Sequence, residues 1–193
     1  MTLSQILDEK RFMDIEGYMT HATQQEILDF AKATAFVEST IYDNGERKDS
    51  KVRKSESKVV LDGENQAIDA LKSRLLNMLY EKQEQANVGV AIDLVRYNDK
   101  GFLVQHQDPY MDGRKYNREY TAIMYIKKPM EKGRTIYPNL NLTIEPNERK
   151  MFLFKNIYNG KLDASSVHMG EETVGEKIIL VFFLSRELEY KIS

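Results

Sequence analysis

Apolar residues follow two different rhythms along this chain, and the change of rhythm divides it. Over roughly the first 80 residues they recur every three to four positions, the spacing of one helix face. Ile27, Phe30 and Ala31 follow Thr23-Gln24-Gln25-Glu26, which reads as a capping box, so a helix is predicted over 24–34. Ile68, Leu71, Leu75 and Met78/Leu79 form a second stripe, predicting a helix over 64–82 that packs against a sheet. From Asn87 the apolar residues come in short runs separated by turn residues such as Asn98-Asp99-Lys100-Gly101, Asp112-Gly113 and Glu145-Pro146-Asn147. The runs predict strands over 88–97, 102–107, 120–127, 140–144, 150–154, 166–168 and 177–185.

Helices followed by many short strands predict a mainly β protein with flanking helices, a double-stranded β-helix (jelly roll) backed by N-terminal α-helices. Residues 1–193 read as one domain, with 1–86 as helical support and 87–193 as the jelly-roll core. One segment breaks both rhythms. Glu46 to Lys58 holds six basic and three acidic residues with Val52 as its single apolar residue, so it is expected to be a mobile loop that can cover a site.

Composition narrows the chemistry. Hydrophobic residues make up 41% and charged residues 30%, and the net charge of -2 gives no reason to expect a nucleic-acid or membrane partner. No run approaches the ~18 apolar residues of a membrane helix, and the N-terminus lacks a signal-peptide pattern. The expectation is a soluble, cytoplasmic protein whose oligomeric state is open. With no cysteine, any metal site must use nitrogen and oxygen ligands.

Only three histidines occur, and two of them sit where an iron site needs them. His106-Gln107-Asp108 ends an apolar run; on a strand, residues 106 and 108 project to one side. His168 precedes another long apolar segment. Two imidazoles and one carboxylate are the donor set of a facial triad, which holds Fe(II) and leaves the opposite positions open.

Several stretches in order carry a resemblance. Val95-Arg96-Tyr97, Gly101, His106-Gln107-Asp108, Thr121-Ala122-Ile123-Met124-Tyr125-Ile126, Gly133-Arg134-Thr135-Ile136-Tyr137-Pro138, His168 and Lys177 together resemble the Fe(II)/2-oxoglutarate-dependent dioxygenases of the prolyl 4-hydroxylase-like branch. The likeness spans 89–186. It implies iron ligation by His106, Asp108 and His168. It implies that Lys177, nine positions after His168, pairs with the distal carboxylate of 2-oxoglutarate, that Tyr125 hydrogen-bonds the same carboxylate, and that Tyr97 lines that pocket. Arg118 is expected to face the pocket as a substrate contact, and Pro109–Arg118 to form the mouth together with the Glu46–Lys58 segment.

The implied cofactors are Fe(II), 2-oxoglutarate as cosubstrate and O2. The implied reaction hydroxylates an unactivated C–H of a prolyl residue or an amino-acid-like small molecule, with release of succinate and CO2. Two departures stand out: Lys132 replaces the first glycine of the usual pair, and Arg134 follows the second. Lysine at 177 points to prolyl 4-hydroxylase-like members, since nucleic-acid demethylases use arginine. The alternatives are a non-redox cupin-like metal enzyme and a binding module without catalysis.

Overall fold

The two rhythms become separate layers in the computed structural model, which describes residues 3–39, 41–43, 46–48, 51–110 and 116–187. The N-terminal part runs through α1 (Leu3–Lys10), β1 (Phe12–Ile15) and α2 (His21–Ala33). Five short strands follow: β2 (Val37–Glu38), β3 (Ile41–Asp43), β4 (Glu46–Lys48), β5 (Arg53–Lys54) and β6 (Glu56–Val59). Then come α3 (Gln66–Leu79), α4 (Lys82–Gln85) and the long strand β7 (Gly89–Tyr97). The chain continues through β8 (Phe102–His106), β9 (Tyr116–Lys127), β10 (Glu131–Lys132), β11 (Thr135–Tyr137), β12 (Leu142–Ile144) and β13 (Met151–Lys155). It closes with β14 (Ile157–Tyr158), β15 (Lys161–Leu162), β16 (His168–Gly170), β17 (Thr173–Val174) and β18 (Lys177–Glu187).

Two antiparallel sheets face each other. The major one has the order β1-β13-β9-β18-β7-β6-β2, and the minor one β12-β11-β16-β8-β5. Alternation along the central strands sorts their side chains. In β9 and β18 the residues Ala122, Met124, Leu180, Phe182 and Leu184 pack against Ile27, Ala31, Ile68, Leu71 and Leu75 of α2 and α3. Their neighbours Ile123, Tyr125, Ile179 and Val181 point between the sheets, where they meet Val95, Tyr97, Tyr137, Phe152 and Phe154. The expected jelly roll with helical backing is therefore present, and most expected strands lie within a few residues of the observed ones.

The N-terminal region differs from the expectation of helices and a loop. β1 is an edge strand on β13, β6 pairs with β7, and β5 pairs with β8. Glu46–Lys58 therefore supplies an edge strand to the minor sheet and an inner strand to the major one; its residues 49 and 50 lie outside the described residues. The reason is tertiary. Glu56 sits opposite Arg96, whose Nη2 lies 2.7 Å from the carboxylate, and Lys58 pairs with Glu64 at 2.9 Å. The partners that neutralise this charged stretch are distant in sequence or lie beyond it, so local composition cannot reveal them.

Helix starts differ as well. Thr20, rather than Thr23, caps α2 by accepting the Thr23 N–H at 3.1 Å, and Glu26 reaches out to accept the Ala67 N–H at the start of α3. The strand expected at 166–168 begins only at His168, because Ala164–Ser166 forms a 3-10 turn.

Candidate metal and cosubstrate site

Register brings the histidines together. His106 ends β8 and His168 begins β16, and the two are directly opposite in the antiparallel pair, with ring centroids 4.3 Å apart. Asp108 follows in the bend after β8 and is buried. The carboxylate Oδ1 lies 3.4 Å from His106 Nε2 and 4.0 Å from His168 Nε2, and the three ligand atoms fall within 4.8 Å of one another. Among the described residues this is the one cluster of three or more such side chains that could hold a metal ion.

The hydrogen bonds behind the rings fix their chemistry. His106 Nδ1 lies 3.0 Å from the Val104 carbonyl, and His168 Nδ1 lies 2.8 Å from that of Ser166. A carbonyl only accepts, so each Nδ1 carries the proton and each Nε2 presents its lone pair to the other ligands. Burial lowers the His168 pKa to about 4, which keeps that ring neutral at ordinary pH. Burial would raise the Asp108 pKa, but its charged neighbours, Arg118 among them, hold the carboxyl below the usual range. Two neutral nitrogens and one anionic oxygen fit Fe(II).

Elsewhere in the same inter-sheet space, Lys177 starts β18 and is 1% exposed. Its Nζ donates to the Gly133 carbonyl at 2.9 Å and lies 4.3 Å from the centroid of the Tyr97 ring. No carboxylate lies within ion-pair distance of it among the described residues, and burial lowers its pKa to about 8, with Glu171 opposing the shift. Tyr125 is fully buried; its hydroxyl meets Thr135 Oγ1 at 2.7 Å, and burial pushes its phenol upward. The Tyr137 hydroxyl is buried with no hydrogen-bond partner among the described residues, while its ring stacks on His168 at 5.3 Å. A cation without a counter-ion and a phenol without a partner fit an anionic, oxygen-rich ligand such as 2-oxoglutarate.

The two departures in the glycine pair now have a physical reading. Lys132 and Gly133 are both left-handed, with φ of 60° and 74°. A Cβ at 133 would stand 2.8 Å from Pro129 Cγ and 3.1 Å from Thr173 Cγ2, so glycine is needed there by space as well as by conformation. Arg134 turns outward to a two-point ion pair with Glu171, at 2.6 and 2.8 Å.

Arg118 reaches the mouth through a backbone irregularity. In the pairing of β9 with β18, Leu184 is opposite Tyr120 but Ser185 is opposite Arg118, so Glu119 is an extra residue. Arg118 and Tyr120 therefore do not share a face, although two-residue spacing on a regular strand would put them on one. Tyr120 packs toward the helices, whereas Arg118 donates to the Asp108 carbonyl at 3.0 Å and covers the Phe183 ring at 3.8 Å. Of the expected mouth segment Pro109–Arg118, residues 111–115 lie outside the described residues.

Three residues here were not singled out from the sequence. Thr121 and Asn156 stand behind Asp108, and Asp93 lies on the inner face of β7, opposite Val59 and Val181. Burial raises the Asp93 pKa, Arg118 and Arg53 lower it, and Asp108 raises it, which places Asp93 among the charges of the mouth. Nothing local distinguishes a threonine or aspartate on a strand from an ordinary one.

Known proteins share this arrangement of strands. The viral collagen prolyl hydroxylase of Paramecium bursaria chlorella virus 1, solved as a complex with 2-oxoglutarate, superposes with a TM-score of 0.78 at 22% identity, covering 94% of this chain and 99% of that one. The fold is that of the prolyl hydroxylases. A prolyl hydroxylase of Trichoplax adhaerens, bound to a hypoxia-inducible-factor peptide, gives a TM-score of 0.72 at 17% identity, over 95% of this chain and 87% of that one. In sequence, prolyl 4-hydroxylase 5 of Arabidopsis thaliana is 24% identical over 190 residues, covering 84% of this chain. The match spans 63% of that relative's length. No family model matches the chain. No helix among the described residues is long and apolar enough to cross a membrane.

Proposed function

We propose that this protein is an Fe(II)- and 2-oxoglutarate-dependent hydroxylase that acts on a prolyl residue of a peptide. The observation that carries the reading is Lys177: a buried ammonium with no counter-ion among the described residues, between the same two sheets as a convergent His-Asp-His set. A cation so placed is unfavourable alone and becomes favourable when an anion enters. A cupin-like hydrolase would have no use for it.

Bound iron and 2-oxoglutarate supply the oxidising power, one atom of O2 leaving in succinate as CO2 is released and the other entering the substrate as hydroxyl. The chain's own residues do the positioning. His106, Asp108 and His168 hold the metal, and Lys177 neutralises the distal carboxylate while Tyr125 hydrogen-bonds it. Tyr97 supports the ammonium from below. Val95, Ile123, Ile179 and Val181 wall the space with apolar surface, which excludes water and strengthens the ion pair. Arg118 offers its remaining N–H groups to a substrate carbonyl at the mouth. Collagen and the hypoxia-inducible-factor peptide, named for the structural relatives, support a peptide substrate.

Anaerobic titration with Fe(II) and 2-oxoglutarate tests the cofactor set: a visible charge-transfer band is expected, and a well-folded protein giving none would sink the reading. Incubation with proline-containing peptides and O2 should add one oxygen to a proline by mass spectrometry. A His106→Ala variant that still released succinate would be equally damaging.

A further inference from the structure

A chain of buried hydrogen bonds ends on the ligand carboxylate from the side away from the histidines. Asn156 Nδ2 donates to Thr121 Oγ1 at 2.9 Å, and Thr121 Oγ1 donates to Asp108 Oδ2 at 2.7 Å. All three residues are buried, Asn156 and Thr121 almost completely. The direction of the chain is forced. An amide nitrogen can only donate, so the single hydroxyl proton of Thr121 is left for the carboxylate, which only accepts when ionised.

Asn156 is held from both ends of its own backbone. Its N–H donates to the Glu119 carbonyl and its carbonyl accepts from the Asp163 N–H, both at 2.8 Å. Its side-chain Oδ1 has no partner among the described residues. Turning the amide over would aim an acceptor at Thr121 and bury a donor instead, so the orphan oxygen accompanies an amide oriented for one task.

We propose that Asn156 and Thr121 are positioning residues that hold Asp108 to one-oxygen ligation of the metal. The inference rests on the metal-centre reading above. Oδ2 is taken by Thr121, while Oδ1 is the oxygen that faces both Nε2 atoms. A carboxylate free to turn can offer both oxygens to one metal, occupying a position that a two-point cosubstrate and O2 would otherwise share. Ligands hydrogen-bonded from behind keep their orientation, and loss of such partners changes metal affinity by about 10–100-fold.

The experiment compares wild type with Thr121→Val, which keeps the shape and removes the hydroxyl, Thr121→Ser, which restores it, and Asn156→Ala. Mn(II) binding followed by electron paramagnetic resonance needs only the three ligands, and the Fe(II)–2-oxoglutarate band reads the open positions. Thr121→Val should weaken Mn(II) binding about 10–100-fold and shift or weaken the band, Thr121→Ser should return to near wild type, and Asn156→Ala should fall between. Thermal unfolding of the metal-free proteins separates these effects from misfolding.

Wild-type affinity and an unchanged band in folded Thr121→Val would overturn the proposal, as would a loss that Thr121→Ser does not repair. If wild type binds Mn(II) but shows no band, the cosubstrate reading fails while the Mn(II) comparison still decides the role of Thr121. If wild type binds no divalent ion, both fall.

Discussion

The two faces of the major sheet are built from alternate residues of the same strands, yet they are opposite in character. Toward the helices, β18 offers Ile178, Leu180, Phe182 and Leu184, each meeting apolar neighbours in a sealed layer. Toward the minor sheet the same strand offers Lys177, Ile179, Val181 and Phe183, and the surrounding residues include Asp93, Asp108, Thr121 and three buried tyrosines. The outer face lowers the free energy of the fold. The inner face holds polar and charged groups that raise it and are satisfied only in part by one another. The contrast singles out the candidate site without reference to any relative, because a two-residue period, broken only locally, sorts the residues of these strands between the two faces.

The contrast can be broken most severely from the outside. Phe182→Ala should destabilise the protein by about 3–5 kcal/mol, measured by denaturant unfolding, while the folded fraction still binds 2-oxoglutarate with unchanged affinity. Loss of affinity at low denaturant would mean the two faces are not separable.

From the inside, the effect on stability should have the opposite sign. Lys177→Met should abolish most 2-oxoglutarate binding, by about 100-fold or more, yet stabilise the cosubstrate-free protein at pH 7 by about 1–3 kcal/mol. The sign follows from the lowered pKa. Between about pH 8, where folded Lys177 titrates, and 10.5, its ordinary value, the unfolded chain binds a proton that the folded one does not. Stability of the wild type therefore rises with pH across that window by about 3 kcal/mol relative to Lys177→Met, and the contribution is lost again as pH falls through it. A variant less stable at pH 7 than wild type would show that the bond to the Gly133 carbonyl matters more than the unpaired charge.

Smaller changes sharpen the picture. Tyr125→Phe keeps the ring and removes one hydroxyl, so 2-oxoglutarate binding should weaken about tenfold, equivalent to about 1.4 kcal/mol. Least of all, Thr20→Ala should cost about 1 kcal/mol of stability through loss of the α2 cap, with no effect on either ligand. Thr23→Ala should cost less, since Thr23 is not the cap.

What could be read in advance and what could not have different physical causes. The grouping of His106, Asp108 and His168 could be suspected because His106 and Asp108 are two residues apart on an apolar run and histidines are scarce. Lys177 was singled out only through the family resemblance, which sets a basic residue nine positions after the second histidine. The central strands were visible because each carries its own alternation. The short strands β5 and β6 were not, since Glu56 and Lys58 of β6 are compensated by Arg96 and Glu64, Lys54 of β5 donates to the Asp99 carbonyl, and their backbone partners lie on β8 and β7. Thr121 and Asn156 were hidden for a related reason: a hydroxyl on a strand and an amide at a corner acquire meaning only from what stands next to them in space.

Glu119 shows how much a single surplus residue can decide. Were it paired regularly with Ser185 instead of bulged, Arg118 would take the face of Tyr120, and its guanidinium would swing from the rim to the hydrophobic layer beneath the helices. Tyr80 and Arg186, which Glu119 engages at 3.2 and 2.9 Å, would lose their shared acceptor in the same event. A change of register by one position, with no ligand or cosubstrate contact altered, would thus exchange a polar gate for a buried, unmatched charge.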